Sequence, residues 1–237
     1  MSHTQFQLNG IMNNLFGNLR GDAMQVPERL RRQLALISSE YQEMALASLA
    51  LSWLLDFRNR DVGLNAGKNV EGFDCLAYVE EKFLKEIDMD NPPTTLTGQV
   101  LAEHIDELIE LVCIEVRDGV ADVIVTCDGL AWRLGADRDA DLDEVIRSNF
   151  SKFCETQEQA EASARHYEDE LRVPVNIIYD DDTGIRSIVS SEDTTGQDGI
   201  FYPKGKILKP LHYSRPKLGP VPETLSLPKF TGLQESV

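Results

Sequence analysis

The stretch EVRDGVADVIVTCDGLAWRLG, Glu115 to Gly135, limits what this chain can fold into more than any other segment. It reads as an apolar helix closed by Gly135, because glycine takes the left-handed conformation that ends helices. Glu115, Asp118 and Asp122 interrupt its first half. At about 100° per residue, positions i, i+3 and i+7 share a stripe roughly 60° wide. The three acids therefore fall on one face, surrounded by Val116, Val120, Val123, Ile124 and Leu130. Like charges at this spacing repel, and an unpaired buried charge is costly. A divalent cation offsets that cost, since hard cations prefer clustered carboxylate oxygens. A solvated acidic face is the plain alternative.

Composition narrows the classes. The 237 residues suffice for one moderate domain, or one domain with appendages, and 42% hydrophobic content suits a packed core. Net charge is −17, with 40 acids against 23 bases. That argues against general nucleic-acid binding, which needs a basic surface. The longest apolar run, LASLALSWLL, is too short to span a membrane and fits a core helix. No signal-peptide pattern opens the sequence. Cys75, Cys113, Cys127 and Cys154 lack CxxC spacing and read as reduced thiols. The expected location is the cytoplasm.

The apolar pattern predicts mostly helices. One covers 4–17, with Phe6, Ile11, Leu15 and Phe16 as its core face. Pro27 opens the next, which runs to about residue 58. Asp74 caps a helix over CLAYVEEKFLKEI, and DMDNPPTT breaks it. Helical pattern resumes near Leu96 and continues to Leu134. As one helix it would span roughly 60 Å, so a break is expected, with Val112–Val116 a candidate. Asp141 or Asp143 starts a helix over EVIRSNFSKF, and TQEQ opens another over about 156–170. VNIIYDDDTGIRSIVS reads as a hairpin. The tail beyond it is rich in Pro and Gly, with FYPKGKILKPLHYSRPKL as a basic patch. Its last fifteen or so residues are expected to lack fixed structure.

Three segments together resemble the MazG-type all-α nucleoside triphosphate pyrophosphohydrolases, a superfamily that includes dimeric dUTPases and phosphoribosyl-ATP pyrophosphohydrolase. LRRQLALISSEYQEM resembles the helix bearing the E-E-x-x-E motif. Glu40 and Glu43 match its second and third acids, and Ser39 replaces the first. EVRDGVADVIV resembles the partner helix, with Asp122 matching its most characteristic acid. Gly119 stands where the family often has Glu, and Asp118 lies one turn before Asp122, a variant associated with phage-type members. DLDEVIRSNFSKF resembles the last core helix, where Asn149 and Lys152 match residues that meet nucleotide phosphates, with Arg147 beside them. FYPKGKILK resembles the extension of stand-alone relatives. The family joins its acidic helices by a short connection, whereas residues 59 to about 110 intervene here.

The resemblance implies an all-α antiparallel bundle, with a small C-terminal β-hairpin and extended tail. It places a helical domain over 1–172, with inserted helices at about 59–110, and a hairpin and Pro/Gly-rich extension over 173–237. Glu40, Glu43, Asp118 and Asp122, with Glu115, would bind Mg²⁺ or Mn²⁺. Glu40 or Glu43 could act as the base, and Asn149, Lys152 and Arg147 would hold the substrate. The implied reaction cleaves a (deoxy)nucleoside triphosphate into monophosphate and pyrophosphate. A homodimer or homotetramer is expected, because the apolar positions of MALASLALSWLL occupy more than one helix face.

Other readings stay open. EHIDELIE offers Asp106, Glu107 and Glu110 as rival acids, with His104 nearby. Glu107 lies roughly 22 Å from Asp122 along a continuous helix, so it joins that site only if the chain reverses. RSNFSK can be an ordinary helix end, with Lys152 at its negative pole. Trp53 and Trp132 can stack on a base or simply fill the core. The non-enzymatic alternative is an acidic helical protein that binds a basic protein partner.

Overall fold

A computed structural model describes residues 4–60, 63–87 and 93–220. Its architecture is an all-α core with a small β-hairpin near the C-terminus. The expected disorder of the last fifteen or so residues, and most of the DMDN break, lie outside the described residues. The chain divides between Ala136 and Asp137 into two compact units.

The first unit is built on two long helices, α3 (Pro27–Arg60) and α6 (Ile105–Leu134). They run antiparallel. The Gln33 amide donates to the Thr126 carbonyl (2.8 Å) toward one end, Met44 meets Gly119 midway, and Arg58 pairs with Asp106 (3.1 Å) at the other. Pro27 opens α3, as its fixed φ and missing N–H favour. Gly135, at φ +77°, closes α6. The break expected near Val112–Val116 falls instead at His104, between α5 (Gly98–Glu103) and α6. Val112 is fully buried in the cluster with Ala50, Trp53 and Leu54, so packing holds the β-branched segment helical against its propensity.

The region between α3 and α6 folds back onto α3. A 3₁₀ turn (Leu64–Lys68), α4 (Cys75–Phe83) and α5 cover Trp53 and Leu54 with Cys75, Val79, Phe83 and Leu101. The Asp74 carboxylate caps α4 by accepting from the Ala77 N–H (2.9 Å). A Cβ on Gly67 would collide with the Trp53 indole, so the turn's approach requires glycine there. This corrects the reason given for an oligomer. Ala47, Ala50, Trp53 and Leu54 of MALASLALSWLL are buried within one chain.

At the far end, α1 (Gln5–Leu15) and α2 (Asp22–Gln25) pack on α6. The expected core face of α1 is corrected. Phe6, Asn9, Gly10 and Asn13 are buried, whereas Leu15 and Phe16 are exposed. Gly10 lets the Trp132 indole lie against the helix, and Phe6 meets that ring edge-on (6.1 Å). The polar members of this face serve a buried network. Asn9 donates to Asp128 (2.6 Å), Asn13 to the Asn9 carbonyl (2.8 Å), and Arg133 to Gln33 (3.1 Å), to Asn18 and to both Asp22 oxygens (3.2 Å). Trp132 is core, its indole N–H shared by Asn14 and the Asn18 carbonyl (3.2 Å each).

The second unit begins with α7 (Arg138–Phe150), capped by Asp137 rather than by Asp141 or Asp143. Gly135 ends α6 so abruptly that the next helix starts within three residues. α8 (Gln157–Arg165) opens with the Thr156–Gln159 capping box, and one π turn (His166–Glu170) follows. β1 (Val175–Tyr179) and β2 (Arg186–Ser190) pair antiparallel, Ile177 opposite Ile188, around a turn in which Gly184 takes φ +72°. A second small pair, β3 (Thr194–Thr195) with β4 (Phe201–Tyr202), lies in the expected tail.

The division into compact units falls at 136/137, so α7 and α8 group with the hairpin. The physical reason is burial: the hairpin cannot cover its own apolar face. Ile188 and Val173 are sealed by Ala160 and Tyr167 from the helical side and by Tyr202 and Leu208 from the tail. The segment after the hairpin is therefore packed as far as Leu208, which is 2% exposed and donates its N–H to the Ile188 carbonyl (2.8 Å).

Further along, the chain is clamped to α7. The Lys217 N–H donates to Glu144 (2.6 Å), which also holds Arg147 (2.7 Å), and Arg147 reaches the Arg215 carbonyl (3.3 Å). The Arg147 side chain, first among its causes, and the Lys217 N–H draw the Glu144 carboxyl down from 4.5 to about 2. A depressed folded value means that the clamp is fully present above about pH 4.5 and is lost as pH falls through about 2. Hydrogen exchange at the Lys217 amide should therefore stay protected at pH 3.5. In Glu144→Gln the amide should exchange freely at that pH, and trypsin should cut after Lys217 faster at pH 7.5.

Candidate functional site

The antiparallel pairing of α3 with α6 brings Glu40, Glu43 and Met44 against Glu115, Asp118, Gly119 and Asp122. Together they line one hollow of about 20 Å³. Sequence spacing placed Glu115, Asp118 and Asp122 on one helix face, and the resemblance singled out Glu40 and Glu43. The packing brings the two faces together. Gly119 is what permits it. A Cβ there would lie 2.9 Å from Met44 Cβ and 3.1 Å from Met44 Cα, closer than side chains tolerate. Gly119 thus marks a close approach of the two helices. Gly119→Val should force the helices apart, costing about 1–3 kcal/mol of stability. Urea unfolding checks this, and a cost below half of the lower figure refutes the tight approach.

Crowding of like charge shows in Glu40. Its half-buried carboxyl is pushed above 4.5, first by burial and then by Asp122, Glu43 and Asp118. None of those four acids has a cationic partner among the described residues. Glu115 does: it is ion-paired to Lys82 of α4. The surroundings of the acids differ from expectation. Asp118 and Asp122 are exposed, as are Ile114, Val120 and Ile124, so the outer face of this half of α6 is not buried within the chain. The buried stretch of α6 lies on either side, at Leu108 and Val112 and from Asp128 to Arg133.

The donor chemistry fits a hard divalent ion, being carboxylate oxygens alone around a space large enough for one ion or water. Yet among the described residues no three such side chains converge closely enough to hold a metal as they stand. The rival acids are separated from the hollow. α6 is continuous from Ile105, so Glu107 stays roughly four turns from Asp122, bonded to His104 (3.1 Å), while Asp106 pairs with Arg58.

The expected phosphate contacts belong to the second unit. There Lys152 Nζ donates to Asn149 Oδ1 (2.7 Å), and Arg147 is engaged by Glu144 and the tail. Trp53, like Trp132, is core. Sequence reasoning missed Lys82 and Tyr78. Their spacing of four on CLAYVEEKF puts them on one helix face, but nothing local says that this face meets Glu115. Among the described residues no helix is long and apolar enough to cross a membrane, and all four cysteines are free thiols. Comparison with family models, characterised proteins and solved structures finds no match to this chain.

Proposed function

We propose that the chain is a metal-dependent nucleoside triphosphate pyrophosphohydrolase, releasing pyrophosphate and a nucleoside monophosphate. The observation that carries this is the facing of Glu40 and Glu43 by Asp118 and Asp122 across one small hollow. The resemblance of three segments to the MazG-type superfamily points the same way. Mg²⁺ or Mn²⁺, when bound, supplies neutralisation of the triphosphate and acidification of a nearby water. Glu43, Asp118 and Asp122 are the carboxylates offered to it, with Glu115 at the margin. Glu40 or Glu43 is the base in this reading, because both carboxylates line the hollow from α3 and face the position of the water that attacks the α-phosphorus. Asn149, Lys152 and Arg147 remain candidates for substrate contact on the resemblance alone.

A second reading has its own observation: the acids do not converge into a ready-made metal cage. An exposed acidic face at net charge −17 also suits a basic protein partner. One assay separates the two. Each NTP and dNTP is incubated with the protein and Mg²⁺ or Mn²⁺, and pyrophosphate and monophosphate are measured. Turnover of any one supports the enzyme. No turnover of any, with a melting temperature unchanged between EDTA and millimolar metal, overturns it.

A further inference from the structure

α7 carries an apolar face that the described part of the second unit leaves exposed. The opposite side of the helix is its inner one. Ser148 is buried there, and the tail grips the same side: the Ser214 N–H donates to the Ser151 hydroxyl (3.0 Å) and the Lys217 N–H to Glu144. At about 100° per residue, Leu142, Ile146 and Phe150 fall within roughly 80° of one another on the outer side. They are 45%, 43% and 61% exposed. The face continues past the helix end. Phe150 meets Phe153 edge-on (6.4 Å), and the two rings join Ile178 and Ile185 of the hairpin in lining a hollow of about 290 Å³. Single exposed apolar residues are ordinary, but a band that runs from a helix onto a hairpin marks a docking surface.

The charge along α7 says what fits this face. The first half of the helix carries Asp139, Asp141, Asp143 and Glu144 against Arg138 alone, and its cations Arg147 and Lys152 stand at the other end. Two charges beside the apolar band are unspent. Among the described residues Asp143 has no ion pair, and Lys152 reaches only the neutral Asn149 amide (2.7 Å). A parallel copy of the helix would set acid against acid, whereas an antiparallel copy sets acids against cations at both ends. We propose that the chain pairs with a second copy of itself through α7, about a two-fold axis at Ile146. Ile146 then meets its own counterpart, and Leu142 meets Phe150 of the second copy, beside the hollow. Asp143 falls within one turn of Lys152 of the second copy, and the two-fold makes this ion pair twice. A dimer thus has a ground other than MALASLALSWLL, whose named apolar residues are spent within one chain. The inference does not depend on the acidic hollow, whose residues belong to the first unit.

Sedimentation equilibrium on the full chain tests the pairing. It is run at about 0.15 M salt, which screens the long-range repulsion between two copies of net charge −17. The wild-type protein should be a dimer at micromolar concentration. Ile146→Asp brings two like charges to the axis, so it should raise the dimer Kd about a hundredfold or more. Ile146 is exposed within the chain, so the resulting monomer should keep the wild-type helical circular dichroism. The second arm uses charge alone. Lys152→Glu and Asp143→Lys should each weaken the dimer several-fold, and the double variant should recover most of the loss, because each copy then carries the reversed pair. Loss in Ile146→Asp together with recovery in the double variant upholds the pairing. A wild-type chain that is still a monomer at about 100 µM overturns it and leaves the face to an unlike partner. A dimer that Ile146→Asp leaves intact overturns it as well, as does a double variant no tighter than either single one.

Discussion

Asp122→Asn should lower pyrophosphate release by about two orders of magnitude or more, while the protein still folds. The substitution removes one charge at nearly constant volume, and even outer-shell changes at metal sites cost about 10–100-fold. Asp122 is exposed, so its loss leaves no buried partner stranded. Its neighbourhood gives the prediction a second arm. Asp122 is the largest charged contributor to the raised pKa of Glu40. A carboxyl raised in the folded state is stabilising when protonated, and its penalty sets in as pH rises from 4.5 through the folded value. Metal-free Asp122→Asn should therefore melt no lower than wild type at pH 7.5, and the difference should vanish below pH 4.5. Full activity in this variant refutes the site. Lost activity together with a lower metal-free melting temperature makes Asp122 a structural residue instead.

Arg133→Met should destabilise the first unit by roughly 3–5 kcal/mol, the usual penalty for breaking a buried charge pair from one side. Arg133 is 6% exposed and Asp22 is 6% exposed. The guanidinium satisfies Asp22, Gln33 and Asn18 at once, tying α2, α3 and the loop after α1 to the end of α6. Arg29 also reaches Asp22 (2.7 Å), which sets the lower end of the range. Met fills the volume but donates nothing, so the buried Asp22 and Gln33 and the half-buried Asn18 each lose a partner. Urea denaturation followed at 222 nm reads the cost. The double variant Asp22→Asn/Arg133→Met should recover part of it, since the stranded charge is then gone. A loss under about 1 kcal/mol would mean that the network is solvated, not buried.

The network and the hollow lie on the same two helices, and they divide the labour. At one end α6 is held by polar groups that leave little freedom of register. At the other it is held by the apolar cluster beneath α4 and α5. Between them, Met44 and Gly119 bring the backbones close enough for Glu40 and Glu43 to face Asp118 and Asp122.

What the sequence determined by itself was what depends on neighbours within a few residues. Pro27, Asp74, the Thr156–Gln159 box and Gly135 mark helix ends, because caps and left-handed closures are made by side chains one turn away. The hairpin was legible for the same reason: alternation and a turn glycine are local signals. The spacing of three and seven put Glu115, Asp118 and Asp122 on one face before any packing was known.

Only the tertiary structure decided which surfaces meet. Periodicity gave α1 an apolar face at Phe6, Ile11, Leu15 and Phe16, of which Phe6 is buried. Beside it the chain buries Asn9 and Asn13 in place of Leu15 and Phe16, because Asp128 accepts from Asn9 across the interface more than a hundred residues away. Val112–Val116 looked like a place to break, yet burial against α3 keeps it helical. Gly119 read as a missing acid and proved to be the point of closest approach to Met44. Nothing local tied Lys82 to Glu115, since that ion pair depends on where α4 folds, and that is set by the apolar groove around Trp53. Local pattern fixes an element's type at a cost of tenths of a kcal/mol per residue. The choice of partner is fixed by buried contacts worth several times more, and these are written in two distant segments at once.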